Sequence, residues 1–323
     1  MKTLVTGAGG FVGSHLIEKC IEAGHKVTAF VRYNSKNSWG WLDCSKYKNN
    51  IQVISGDIRD FDSVHAAMEG IENVFHLAAL IGIPYSYVSP LAYIKTNIEG
   101  TYNVLESARR RGTPNVLVTS TSETYGTAQT VPMDENHPMV GQSPYSASKI
   151  GSDNLSVSYS RSFGLPVKIV RPFNIYGPRQ SARAIIPSVI IQILNGRKQL
   201  KLGNTVPTRD FTFVTDTANA FLEIAKAPQL NGQVVNVGMK HEISILNLVR
   251  LIARMMDTEV EVLSDELRVR PAGSEVERLF SENAKILFQT RWEPEYDLER
   301  GLKETIQWLR ENRGEYKADI YNV

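Results

Sequence analysis

The sequence predicts an α/β fold: a Rossmann-type, doubly wound parallel sheet carrying a smaller, mostly C-terminal α/β substrate domain. Three observations carry this. A short apolar strand at 2–6 runs through a glycine-rich turn into an amphipathic segment, Phe11 to Ala23, with Val12, Leu16, Ile17 and Ile21 at helical spacing. Strand-like runs then recur at 26–31, 51–55, 74–77, 115–120 and 167–171, separated by segments long enough for a helix. After Arg171 the alternation loosens into RPFNIYGPR, a helical stretch from Ala184 to Asn195, a short KQLKLG strand and RDFTFV. The dinucleotide-binding part is therefore assigned to 1–172 and about 212–240, and the substrate part to about 173–211 and 241–323.

Bulk properties narrow the class. The chain has 323 residues, 42% hydrophobic and 22% charged, so it can bury a large core and has little room for disorder. A net charge of +2 gives no reason to expect a nucleic-acid partner, and any anionic ligand must be held by local groups. Cys20 and Cys44 have no metal-binding or redox spacing and read as reduced thiols, and no metal is expected. The apolar opening is broken at once by glycines, and no later run approaches the ~20 apolar residues of a membrane helix. A cytoplasmic protein without a membrane partner is the expectation.

Gly7, Gly10 and Gly13 form G-x-x-G-x-x-G between the first strand and first helix, with Phe11 and Val12 opening that helix. Such a turn lets a pyrophosphate approach the backbone and sit on the helix N-terminus. Asp57, with Ile58 after the third strand, is suited to the adenine amino group, and Leu77, Ala78 and Ala79 put small residues beside a cofactor. The second strand ends in Arg32 where an NAD site has an acid, which keeps NADP open as well as NAD.

Tyr145 and Lys149 lie four apart in SPYSASK, behind Ser143 as N-cap and Pro144 at the first helical position, and so share one helical face. An ammonium beside a phenol favours its ionised form, and a tyrosine so placed can move a proton. The run from Ser120 to Gly126 follows the fifth strand, and it brings Thr121, Ser122 and Glu123 to the edge where open α/β sheets bind ligands.

TGAGGFVG, YSASK, RPFNIYGPR, RDFTFV and RPAGSEVERL together resemble the extended short-chain dehydrogenase/reductases, in the nucleotide-sugar epimerase/dehydratase branch. YNSKNSWGWL, IPYSYVSP, STSETYG and GPRQSARAIIP narrow the likeness to the NAD-dependent 4,6-dehydratases of legionaminic acid biosynthesis, which work on nucleotide-linked N-acetylglucosamine. By that resemblance Thr121 bonds the sugar 4-hydroxyl, Tyr145 takes its proton and Glu123 removes the C5 proton. Water leaves from C6, and a tightly held NAD is regenerated in each turnover. Ser122 stands where dTDP-glucose dehydratases have an aspartic acid, so Glu123 has to shuttle the proton itself. The same likeness puts Asn174, Arg179, Arg209 and Arg270 near the nucleotide diphosphate, and Tyr85 and Ser86 beside the sugar.

Three other readings stay open: a 4-epimerase, a UDP-glucuronate decarboxylase and a non-catalytic NADP sensor. An epimerase needs no base at C5, so Glu123 speaks against it, whereas decarboxylases often carry the same threonine-serine-glutamate run. The resemblance also implies a homodimer formed by helices at roughly 90–111 and 143–163, with Leu91, Ile94, Leu155 and Tyr159 left facing outward. A tetramer follows if the loop from Arg32 to Asn50 reaches a neighbour.

Overall fold

The computed structural model describes residues 1–317. Its first half runs β1 (Lys2–Thr6), α1 (Phe11–Glu22), β2 (Lys26–Arg32), β3 (Ile51–Gly56), α2 (Phe61–Ala67), β4 (Asn73–His76), α3 (Ile83–Val88), α4 (Pro90–Tyr93), a π turn (Ile94–Glu99), α5 (Gly100–Arg111), β5 (Val116–Thr119), α6 (Pro144–Phe163) and β6 (Val167–Pro172). The remainder is β7 (Asn174–Tyr176), α7 (Ile185–Leu194), β8 (Gln199–Leu202), β9 (Thr208–Phe213), α8 (Val214–Ala225), β10 (Val234–Val237), β11 (Glu242–Ser244), α9 (Ile245–Met255), β12 (Glu261–Ser264), α10 (Ala284–Gln289) and α11 (Leu298–Glu311).

Seven strands make one parallel sheet in the order β10-β6-β5-β4-β1-β2-β3. Strands buried on both faces must be apolar throughout, and Leu4, Val5, Val74, Phe75, Val116, Leu117 and Val118 are all fully buried. One face is covered by α1 and α8, the other by α2, α5 and α6. The chain order reverses between β1 and β4, which opens a crevice at the carboxyl ends of these strands. A three-stranded sheet β11-β9-β7, packed with α7, α9 and α11 around Phe211, Phe213, Leu248 and Leu302, forms a separate core on that side. The strands expected from the sequence through 171 coincide with β1 to β6, their ends moved by no more than one residue.

Three expectations change. The helix expected over 90–111 contains the π turn, whose Asn97 side chain accepts from the Leu80 N–H (2.9 Å) and donates to the Leu80 carbonyl (2.9 Å) and the Ser148 hydroxyl (2.9 Å). A widened turn aims a side chain that a regular helix would rotate away. Tyr159 does not face outward: it is buried in the core under α5, where its hydroxyl donates to Glu106, and Leu155 is half-buried against the edge of that core. Finally, the aromatic loop after Arg32 folds onto its own chain. The Trp41 N–H donates to the Gly9 carbonyl (3.0 Å), Ser45 to Glu18 and Tyr47 to Glu22 on α1, and the Trp41 ring meets Trp308 of α11 edge-on at 5.3 Å.

Candidate active site

The first glycine turn is shaped by close approach. Gly7 has φ +70°, and a Cβ there would lie 2.8 Å from the Ala78 nitrogen. Gly13 admits the Gly7 carbonyl against α1, and Gly10 precedes α1 with no side chain capping it, so the first N–H groups of the helix are open to an anion. Phe11 and Val12 are half-buried on the opening turn of α1. Thr6 fixes the neighbouring crossing: its hydroxyl accepts from the Ala78 N–H and bonds His76 Nδ1 at 2.8 Å, while its carbonyl accepts from the Leu77 N–H. His76 is buried and bonds Thr101 through Nε2; burial, then the nearby Lys149 charge, takes its pKa down to about 3, so it is neutral in use. Ala79 lies half-buried beyond it.

Arg32, expected at the adenosine end of a cofactor, is exposed at the end of β2. Asp57 follows β3, but the structure gives it a partner that the sequence reading lacked. Arg59 grips both of its carboxylate oxygens (2.9 and 2.5 Å), and these hydrogen bonds, more than the Arg32 charge, hold its pKa down at about 2. Ile58 is buried against Gly100, and its carbonyl accepts from Asn103.

Ser143 caps α6 in a reciprocal box with Ser146, and Pro144 occupies the first turn. This start fixes the face that carries Tyr145 and Lys149, both buried. Burial pushes the Tyr145 phenol well above the ordinary tyrosine range; the neighbouring Thr121 hydroxyl works against that rise, and Glu123 and Tyr93 add to it. Lys149 Nζ donates to the Thr119 carbonyl at 2.5 Å, and burial brings the ammonium down to about 8 against the opposing pull of Asp153. Thr121 caps the short 3₁₀ helix Ser122–Tyr125 by accepting from the Glu123 N–H, which holds Glu123 half-buried at the strand end and buries Ser122.

Arg209 on β9 is the charge that meets Glu123 from the other side. Burial lowers its pKa, and the Glu123 carboxylate is the first influence opposing that. Arg209 and Arg270 share one acid, Glu275, at 3.5 and 3.7 Å, with Glu123 as the second carboxylate near Arg209. The Asn174 Oδ1 is buried and has no hydrogen-bond partner. Two guanidiniums able to grip an anion and an orphaned acceptor are what an anionic, hydroxyl-bearing ligand would satisfy.

Two expected site residues lie elsewhere in their contacts. Arg179 turns to α1 and pairs with Glu18 at 2.9 Å, because its backbone takes φ +70° after Pro178. Ser86 is fully buried and donates to the Ile83 carbonyl within α3, a bond that an internal serine of a helix readily makes. Tyr85 remains half-exposed, in ring contact with Tyr93 (6.2 Å), which in turn meets the Tyr145 ring at 6.2 Å. Tyr93 escaped the sequence reading, as did the bond between the Tyr87 hydroxyl and Ser274 that joins α3 to the loop after Arg270. No spacing signal links positions so far apart.

Among the described residues no cluster of side chains could hold a metal ion, and no helix is long and apolar enough to cross a membrane.

Known proteins resemble the chain over nearly its full length. It is 33% identical to the UDP-N-acetyl-alpha-D-glucosaminuronate decarboxylase of Bacillus cytotoxicus, covering 96% of this chain and 98% of that protein. It is 31% identical to a putative UDP-glucose 4-epimerase of Methanocaldococcus jannaschii, covering 96% and 98%. The crystal structure of DesIV, a dTDP-glucose 4,6-dehydratase from Streptomyces venezuelae with NAD bound, superposes with a TM-score of 0.89 at 27% identity over 98% of this chain and 99% of that one. The family profile of GDP-mannose 4,6 dehydratases matches residues 4–305. With the parallel sheet, the glycine turn and the Tyr145–Lys149 face already described, that match gives the conclusion: the chain belongs to the GDP-mannose 4,6-dehydratase family, within the nucleotide-sugar dehydratases, epimerases and decarboxylases built on the short-chain dehydrogenase/reductase fold.

Proposed function

We propose that the protein is a nucleotide-sugar 4,6-dehydratase that converts GDP- or UDP-N-acetylglucosamine to the 4-keto-6-deoxy sugar, with NAD held on the Gly7–Gly13 turn. The observation that carries this reading is Glu123: a carboxylate at the end of β5, next but one to Thr121 and on the same side as Tyr145. The backbone approach at Gly7 and the uncapped start of α1 support a dinucleotide, and the exposed Arg32 stands where an NAD site has an acid for the adenosine ribose.

When bound, the dinucleotide supplies the hydride acceptor at C4 and the donor at C6. The chain's own groups manage protons and position. Thr121, beside the Tyr145 phenol, orients the 4-hydroxyl, and Tyr145 takes its proton. Burial, with Glu123 and Tyr93, opposes ionisation of that phenol, so the ammonium of Lys149 on the same helical face is the group of this chain that favours the phenolate. Glu123 takes the C5 proton and, with Ser122 unable to act as an acid, returns a proton to the hydroxyl leaving C6. Arg209 and Arg270 hold the diphosphate, and the unpaired Asn174 oxygen accepts from the substrate.

Incubation with GDP-, UDP- and dTDP-sugars and product masses by mass spectrometry test the reading: loss of water is expected. Glu123→Gln, which keeps shape and removes the base, is expected to fold, retain its dinucleotide and lose water release by ~100-fold or more. A variant that dehydrates at the parent rate would remove Glu123 from the mechanism. A second reading, decarboxylation of a nucleotide-linked uronate, is favoured by the likeness to the Bacillus cytotoxicus decarboxylase, and loss of carbon dioxide from such a substrate would establish it instead.

A further inference from the structure

Behind the Tyr145–Lys149 face lies an ion pair that the mechanism above does not use. Asp153 and Arg171 are each 2% exposed and meet at 2.6 Å, and the same Asp153 oxygen accepts from the Ser120 hydroxyl at 2.6 Å. Neither partner is saturated: Asp153 Oδ1 and Arg171 Nε are buried without a hydrogen-bond partner. Arg171 instead lies over the Tyr125 ring at 4.5 Å. A buried pair with unsatisfied atoms is a poor stabiliser compared with apolar residues of the same volume, so its presence beside the reacting groups calls for another explanation.

We propose that Asp153, clamped between Ser120 and Arg171, is a positioning residue that sets the charge balance of the Tyr145–Lys149 pair and thereby the pH range in which the pair works. This rests on the reading of those two residues as the proton-moving pair.

The geometry gives the clamp two handles. Asp153 lies one helical turn beyond Lys149 on α6, so its carboxylate is on the face that carries the ammonium. Ser120 lies between Thr119, whose carbonyl receives Lys149, and Thr121, whose hydroxyl meets Tyr145. The Ser120–Asp153 bond thus ties the end of β5 to α6 at the level of the reaction.

The charged and titratable groups facing the pair are few. Asp153 favours the ammonium and disfavours the phenolate; Glu123 and Tyr93, from the strand-end helix and α4, also disfavour the phenolate. His76, from β4, is neutral. Arg171, from β6, offsets Asp153. Removing the Asp153 charge lowers the pKa of both residues in the pair, whereas removing the Arg171 charge raises it. A purely structural role would not produce opposite displacements.

The test titrates Tyr145 in the NAD-loaded protein by tyrosinate absorbance, as the difference between each protein and its Tyr145→Phe counterpart. Asp153→Asn is expected to bring the Tyr145 titration down by about one pH unit, a tenfold change. Asp153→Glu is expected to leave it near the parent value, and Arg171→Gln to move it upward. Folding is checked by circular dichroism, and if Asp153→Asn does not fold, the upward shift in Arg171→Gln carries the test. A folded Asp153→Asn with the parent titration, or both charge removals moving it in the same direction, overturns the proposal. No substrate is needed, so the result stands apart from the identity of the sugar.

Discussion

Lys149 shows how much depends on one buried ammonium. Its pKa is lowered from the ordinary lysine value to about 8, so it is charged below that pH and loses its proton as pH rises through it. Turnover measured against pH is therefore expected to fall on the alkaline side with a midpoint near 8. Lys149→Arg, charged throughout, is expected to lose that limb and to turn over ~100-fold more slowly, because a planar guanidinium does not fit the Thr119 carbonyl as the ammonium does. An alkaline limb that persists in Lys149→Arg would assign it to another group. At this scale legibility in the sequence was uneven. Tyr145 and Lys149 could be seen because helical spacing puts them on one face, and the glycines because a strand and helix flank them. The Arg179–Glu18 and Arg171–Asp153 pairs could not, since each joins elements whose meeting is set only by the finished fold. Ser86 looked available because sequence says nothing of which way a buried hydroxyl turns.

Between elements, the question is what covers the outer face of α4, the π turn and α5. Leu91 (60% exposed), Ile94 (51%) and Tyr102 (41%) lie there, and Phe163 (55%) closes α6 on the same side, where Tyr159 packs beneath α5. Tyr159 is part of the core and Leu155 is half-buried against it, so the proposed homodimer rests on the first helix more than the sequence suggested. Burying Leu91 and Ile94 fully against a second copy is worth about 1.5–3 kcal/mol for each side chain. Light scattering at micromolar concentration is expected to give a dimer for the parent and a monomer for Leu91→Glu/Ile94→Glu. A double variant that stays dimeric moves the interface elsewhere. The helix itself was legible from 90 to 111 as one stretch, but the π turn was not. Its cause is the three-way bonding of Asn97 to Leu80 and Ser148, which are distant in sequence.

Across the whole molecule, the alternation of strand and helix was enough to give the sheet, since a parallel strand buried on both faces can hardly be written except as a continuous apolar run. The loop after Arg32 had no such pattern. It holds the molecule together by docking Trp41 against Trp308 at the C-terminal helix and against the Gly9 carbonyl at the cofactor turn. Trp41→Ala is expected to cost about 1–2 kcal/mol, less than truncation of a fully buried aromatic because the ring is only half-buried, and to lower the fraction of purified protein that retains dinucleotide. Denaturation and identification of the released nucleotide measures this, with NAD expected from the parent. Parent-like stability and retention would reduce the contact to surface packing. Gly9 leaves room for the Trp39 carbonyl where any Cβ would collide with it. The turn and the loop therefore form a single heritable unit. A related enzyme with a side chain at the position of Gly9 must route its loop differently, and transplanting this loop into it is expected to fail unless the glycine and Trp308, the partner of Trp41, are transplanted too.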